Sequence, residues 1–230
     1  MTPPKLSTMA DMIADIEAEA RSAAPWTGRA TLSPQVLAAM ADVPRQAFVP
    51  ANLRHSAFDD RPLPIGHGQT ISQPYIVALM TDLLQLTPDD VVLEVGTGSG
   101  YQAAVLSRLA KQVYGLENIA ALAQQAQQHL AQLGYHNVEV VWGNGFQGLP
   151  QHAPYDAILV AAAPSHIPQA LIEQLAPGGR LVLPVGERYY GQDLKVVHKD
   201  QQGEIHVKTV LPVAFVPMID ETVSENPQPA

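Results

Sequence analysis

The chain has 230 residues, no cysteine and a formal net charge of -9, which allows one sizeable core and excludes disulfides, thiolate metal sites and a catalytic cysteine. The acidic balance argues against a nucleic-acid partner, whose phosphates call for a basic face. Asp11, Asp15, Glu17 and Glu19 interrupt the N-terminal apolar residues as no signal peptide would, and no apolar run reaches membrane-spanning length, so a cytoplasmic protein with no membrane partner is expected.

Met9, Met12, Ile13 and Ile16 recur at helical spacing and predict a helix over residues 8–23. Ser33-Pro34 supplies an N-cap and a first-turn proline for a second helix ending near Ala41. Residues 43–72 are rich in Pro, Gly and Asp and read as a long loop, kept ordered by Phe48, Val49, Phe58, Leu63 and Ile65. A helix is predicted from Gln73 to about Leu84, with Ser72 as its N-cap and Pro74 in its first turn. Strands are predicted at 91–95, 112–116, 138–142, 157–162 and 180–184, with helices after Gly100, at 119–133 and at 168–175. This alternation implies an α/β fold with a parallel sheet and right-handed crossovers. Two further strands, at 193–198 and 205–213, are separated by a short turn and predict an antiparallel hairpin. One domain is expected over 1–220, with an N-terminal helical extension over about 1–45 and a flexible tail at 221–230.

The first strand of the alternation runs into glycines at every second position: Val91-Val92-Leu93-Glu94-Val95-Gly96-Thr97-Gly98-Ser99-Gly100. Such a turn brings backbone N–H groups and the positive end of the next helix close to a ligand. A dinucleotide fingerprint needs Gly-x-Gly-x-x-Gly, and here Tyr101 follows Gly100, so a nicotinamide dehydrogenase is disfavoured. The shorter spacing suits a ligand without phosphates, of which S-adenosylmethionine is the commonest on this architecture. Glu117, at the end of the second strand, can accept both ribose hydroxyls of a nucleoside; the bland reading is a solvated acid at a strand end. Asn144-Gly145 closes the third strand, either to meet an adenine edge or as a turn with purely backbone reasons. Glu94 either approaches the ligand's amino group or bonds local N–H groups. The histidines are scattered, none paired at i, i+4 beside a carboxylate, and no metal site is expected.

A second informative segment spans residues 61–75, where Gly68-Gln69-Thr70-Ile71-Ser72-Gln73-Pro74 enters a helix. Together with Asp42-Val43-Pro44-Arg45, Phe48-Val49-Pro50, the glycine turn, Pro154-Tyr155-Asp156, Gly178-Gly179-Arg180 and Phe215-Val216-Pro217, it closely resembles the protein-L-isoaspartate O-methyltransferases, from about Pro34 to Met218. The resemblance implies a three-layer Rossmann-like methyltransferase fold: a mostly parallel seven-stranded sheet with an antiparallel C-terminal strand pair and helices on both faces. It implies methyl transfer from S-adenosyl-L-methionine, leaving S-adenosyl-L-homocysteine, to the α-carboxylate of L-isoaspartyl residues in damaged proteins, the ester then collapsing to a succinimide.

By the same resemblance Ser72 is the active-site serine, and Gly66, Gly68, Gln69 and Thr70 belong to the loop covering the cofactor. Gly96, Thr97, Gly98, Ser99 and Gly100 form its methionine-binding turn, Glu117 is its ribose acid, and Asn144 and Gly145 are its adenine corner; Glu94 and Asn118 are expected among the cofactor-binding residues. Asn144 stands where the family usually has aspartate, and Ala161 where many members carry threonine. A monomer acting on isoaspartyl proteins and peptides is expected. The alternatives are a methyltransferase for another carboxylate or small molecule, and a non-catalytic S-adenosylmethionine-binding adaptor.

Overall fold

The computed structural model describes residues 6–187 and 189–220; the tail predicted at 221–230 lies outside them. Helix α1 (Met9–Thr27) is opened by a capping box in which Thr8 and Asp11 satisfy each other's backbone N–H groups. Helix α2 (Pro34–Asp42) starts on Ser33, whose side chain accepts from the Val36 N–H, as the Ser-Pro pair predicts. Residues 43–72 are more structured than their composition indicates. Two 3-10 turns, Arg45–Ala47 and Ala51–Ser56, lead into an antiparallel hairpin of β1 (Leu63–Gly66) and β2 (Gln69–Ile71). The buried Arg45 guanidinium organises this segment: its Nε donates to the Ala57 carbonyl at 2.8 Å, and its charge lies 5.0 Å from the Tyr101 ring centroid.

Helix α3 (Pro74–Leu84) corrects one expectation. Its N-cap is Gln73, not Ser72, and no cap side chain bonds its first turn. The free N–H of Tyr75 is instead satisfied from fifteen residues upstream, by Asp60 Oδ1 at 2.9 Å, while Asp60 Oδ2 accepts from Gln73 Nε2 at 2.8 Å. A carboxylate at the positive end of a helix is the favourable arrangement, and it leaves the Ser72 hydroxyl without a hydrogen bond to any other described residue.

The main sheet contains β3 (Val91–Val95), β4 (Gln112–Glu117), β5 (Val138–Trp142), β6 (Tyr155–Val160), β7 (Leu175–Glu187), β8 (Gly191–Lys199) and β9 (Ile205–Val213), in the order β5-β4-β3-β6-β7-β8-β9. Strands β3 to β7 are mutually parallel. β8 lies between β7 and β9, antiparallel to both, so the predicted hairpin is present and only its first strand runs against the rest. Helices α4 (Tyr101–Ser107), α5 (Ala120–Gln132) and α6 (Gln169–Glu173) fill the crossovers. β7 extends well beyond 180–184 at both ends and so shortens the helix predicted at 168–175 to a single turn and a half.

Alternation along β3 sorts the core. Val92 joins a cluster with Met12, Met40, Leu79 and Leu106 on the side of α1 to α4, while Leu93 and Val95 join Leu116, Ile158, Leu171 and Leu183 on the side of α6. Helices therefore cover both faces, and the C-terminal ends of β3, β4 and β6 open beside the switch in strand order, where such sheets bind ligands.

Candidate active site

At that edge β3 turns into α4 through Gly96, Gly98 and Gly100, whose φ angles are +89°, +53° and +88°. Residues with a Cβ rarely take these values, and here they fold the turn over the sheet. The Gly96 N–H donates to the Leu116 carbonyl at 2.7 Å, and the Gly98 N–H to Glu117 Oε2 at 2.8 Å, so the turn is tied to the end of β4. Glu117 Oε1 accepts the Ile119 N–H at 3.0 Å. The Asn118 N–H also bears on this carboxylate, whose lone-pair directions are not all taken by the three backbone donors. Burial outweighs these bonds and raises the Glu117 pKa, while His67, in the turn of the β1–β2 hairpin, draws it down.

The turn forms one wall of a cleft. Gly96, Thr97, Gly98, Ser99, Glu117, Asn118 and Gly145 line it, as do Gln69, Thr70 and Ser72. Gly66 and Gly68 do not; they shape the hairpin turn at φ +93° and +72°, and the hairpin packs against the glycines through Ile65. Gly100 lies behind the wall as the N-cap of α4. Glu94 is also behind it, fully buried in the middle of the sheet. Neither of its carboxyl oxygens has a hydrogen-bond partner: the Thr97 hydroxyl and Ala103 N–H approach without bonding geometry, and the Thr97 hydroxyl is itself orphaned. Burial, with a smaller contribution from the Glu117 charge, raises the Glu94 pKa to about 8.

A second space adjoins the cleft, lined by Glu19, Pro62, Gln73, Tyr75 and Ile76 on one side and residues 211–216 on the other. Thr70, Ser72, Ala161 and Val216 line both spaces. Ser72 thus stands where the cleft and the groove meet.

The sequence matches the family model described as protein-L-isoaspartate(D-aspartate) O-methyltransferase over residues 26–223. The chain belongs to that family. It is 53% identical over 209 residues to "Protein-L-isoaspartate O-methyltransferase 2" of Syntrophobacter fumaroxidans, covering 91% of this chain and 85% of the relative. It is 59% identical to "Protein-L-isoaspartate O-methyltransferase" of Synechococcus sp., over 83% and 80% of the two chains. In fold it resembles a solved protein-L-isoaspartate O-methyltransferase with TM-score 0.79 at 24% identity over 94% of this chain and 67% of the other. A Plasmodium falciparum structure, solved with S-adenosyl-L-homocysteine, gives TM-score 0.76 at 23% identity over 93% and 99%.

Within this isoaspartate methyltransferase the adenine corner differs from the expectation. Asn144 is not among the residues lining the cleft. Its Oδ1 accepts the Phe146 N–H at 2.9 Å, and its Nδ2 donates to the Asp220 carbonyl at 2.6 Å and to Asp220 Oδ1 at 3.0 Å. It fastens residues 216–220, which supply Val216, Pro217, Met218 and Ile219 to the cleft wall. The sequence reading assigned none of these four a place in the site. They arrive by long-range contacts: Ala163 pairs with Val216 and Met218, and the buried Gln192 holds Phe215 through its N–H at 2.6 Å and its carbonyl at 3.2 Å. Asn144→Asp, the family's usual residue, removes the donor and sets a second carboxylate against Asp220. We expect a loss of about 1 kcal/mol, or about 2–4 °C in melting temperature, relieved by Asp220→Asn. Unchanged melting of the single variant would remove Asn144 from this fastening role.

Proposed function

We propose that the chain carries out its family's reaction, methyl transfer from S-adenosyl-L-methionine to the α-carboxyl group of L-isoaspartyl residues, with the donor in the glycine-walled cleft and the acceptor carboxylate at Ser72. The observation that carries this reading is the junction: Thr70, Ser72, Ala161 and Val216 line both the cleft and the adjoining groove, so an acceptor in the groove meets the cleft at Ser72.

The cleft suits the donor. Glu117 keeps acceptor capacity for ribose hydroxyls, and Gly96 to Ser99 bring their backbone to the cleft. At Gly145 an added Cβ would lie 2.5 Å from Val95 Cγ1, so only glycine leaves the corner open. The bound donor supplies an electrophilic methyl group. The substrate carboxylate, with an ordinary pKa of about 4, is ionised at neutral pH and needs no general base. Ser72 donates its hydroxyl hydrogen to one carboxylate oxygen and so directs it, while Ile71, Val77 and Val216 exclude water from the meeting point. The β1–β2 hairpin acts as the cover.

The proposed setting is a monomer acting on damaged proteins in the cytoplasm; among the described residues no helix is long and apolar enough to cross a membrane. The test is methyl incorporation into a hexapeptide containing L-isoaspartate beside its L-aspartyl twin. The isoaspartyl peptide is expected to be methylated at least a hundredfold faster, because moving the carboxylate by one methylene breaks its alignment. Equal rates would refute the assignment of the groove.

A further inference from the structure

Among its described lining residues, the groove has one charged side chain, and it comes from outside the segment matched by the family model. Glu19 lies on α1, whereas the match begins at residue 26. Met12, Ile16, Ala20 and Ala23 turn into the core, and α1 packs on α3 and β9; this register sets Glu19 on the helix's exposed flank, beside the groove. The other lining side chains, from Pro62 and Gln73 to Leu211 and Phe215, are neutral. Tyr75 lines the same groove at 2% exposure, with its hydroxyl lacking any hydrogen-bond partner and close enough to Glu19 for that charge to bear on it. The Asp60 carboxylate bears on Tyr75 too, but it lies behind the lining, tied to Gln73 Nε2 and the Tyr75 N–H, so Glu19 is the charge presented to what lies in the groove. It lines the groove and not the cleft, so it meets the chain flanking the isoaspartyl residue and not the reacting carboxylate.

We propose that Glu19 is a specificity residue, through which α1 favours substrates with lysine or arginine beside the isoaspartyl residue and disfavours acidic neighbours. The inference rests on the groove being the acceptor site. It gives the N-terminal extension a part in substrate choice in addition to its packing. Because Glu19 is exposed, each charge step is worth a few-fold, and salt weakens it.

The experiment uses the full chain and isoaspartyl hexapeptides that differ only in carrying Lys, Ala or Glu on either side of the damaged residue. The Lys peptide is expected to exceed the Glu peptide in kcat/KM by about tenfold at low ionic strength, roughly threefold for each step, the difference residing in KM. Glu19→Gln should bring the Lys-to-Glu ratio toward one, and Glu19→Lys should invert it; 0.5 M NaCl should flatten the wild-type ratio. A wild-type ratio near one, or a ratio that both variants retain, overturns the role of Glu19 while methylation of the Ala peptide upholds the groove. Absence of methylation on every isoaspartyl peptide overturns the acceptor-site reading and this inference with it.

Discussion

Replacing Ser72 by alanine lowers turnover about a hundredfold, the cost of losing alignment at the reacting centre, while S-adenosyl-L-homocysteine affinity and melting temperature stay close to wild type. The stability half of this expectation follows from the start of α3. Were Ser72 the N-cap, its loss would cost about 1 kcal/mol of helix stability, and any fall in activity would be ambiguous. Gln73 is the cap position, and Asp60 satisfies the Tyr75 N–H from outside the helix. Removing a hydroxyl that bonds no described residue therefore leaves the fold's internal hydrogen bonds intact. The binding half follows from the cleft, where Gly96 to Ser99, Glu117 and Gly145 line the wall away from the groove and Ser72 stands at the junction with it. Turnover and S-adenosyl-L-homocysteine titration, measured with a melting curve on the same preparation, decide the matter. Full turnover in Ser72→Ala would leave the serine without a part in the reaction, and a drop in melting temperature of several degrees would return it to a structural role.

That separation also shows what the sequence could and could not disclose. The glycine turn is a local device: an apolar strand, glycines at fixed spacing and a helix start are all within ten residues, so its position and its ligand class are legible from the chain alone. Strands β3, β5 and β9 occupy the residues predicted because continuous apolar or β-branched runs mark them without help from neighbours. The β1–β2 hairpin reads as loop because Pro64 and a Gly-His-Gly turn obscure a two-stranded pattern that is fixed by pairing of Leu63 and Pro64 with Ile71 and Thr70. Asp60 as the true cap, Gln192 as the clasp on Phe215, and Val216 to Ile219 as cleft wall are contacts between distant parts of the chain, and no periodicity reports them. Ser72 is an intermediate case. The motif identified the residue through its resemblance to a family, but its local pattern pointed to a helix cap, and only the tertiary contact of Asp60 shows that the hydroxyl is spare.

Glu94→Gln should make the protein more stable at alkaline pH, by a margin that grows as pH rises. Glu94 sits on the central strand with both oxygens unpartnered, and burial raises its pKa from 4.5 to about 8. Between those values the folded chain holds a proton that the unfolded chain has released, so folding stability falls with rising pH across that window, by about 1.4 kcal/mol per unit at most. The sign is that of a raised folded-state pKa: the contribution is intact below pH 4.5 and lost as pH climbs through 8. Glutamine keeps the shape and has no proton to lose. The variant and the wild type should match near pH 4.5 and diverge by a few kcal/mol at pH 8. The comparison cancels every other titrating group except Glu117, which touches the same turn through the Gly98 N–H and adds to the Glu94 shift. Urea unfolding of both proteins from pH 4.5 to 8.5 reads the divergence directly, and parallel curves would mean that Glu94 is ionised in the fold with a partner that holds its charge. A buried acid kept neutral behind the cleft wall would also be poised to ionise toward the α-ammonium group of a bound ligand, so S-adenosyl-L-homocysteine should narrow the stability gap at pH 8. That coupling would give Glu94 its part in binding without placing it on the cleft wall.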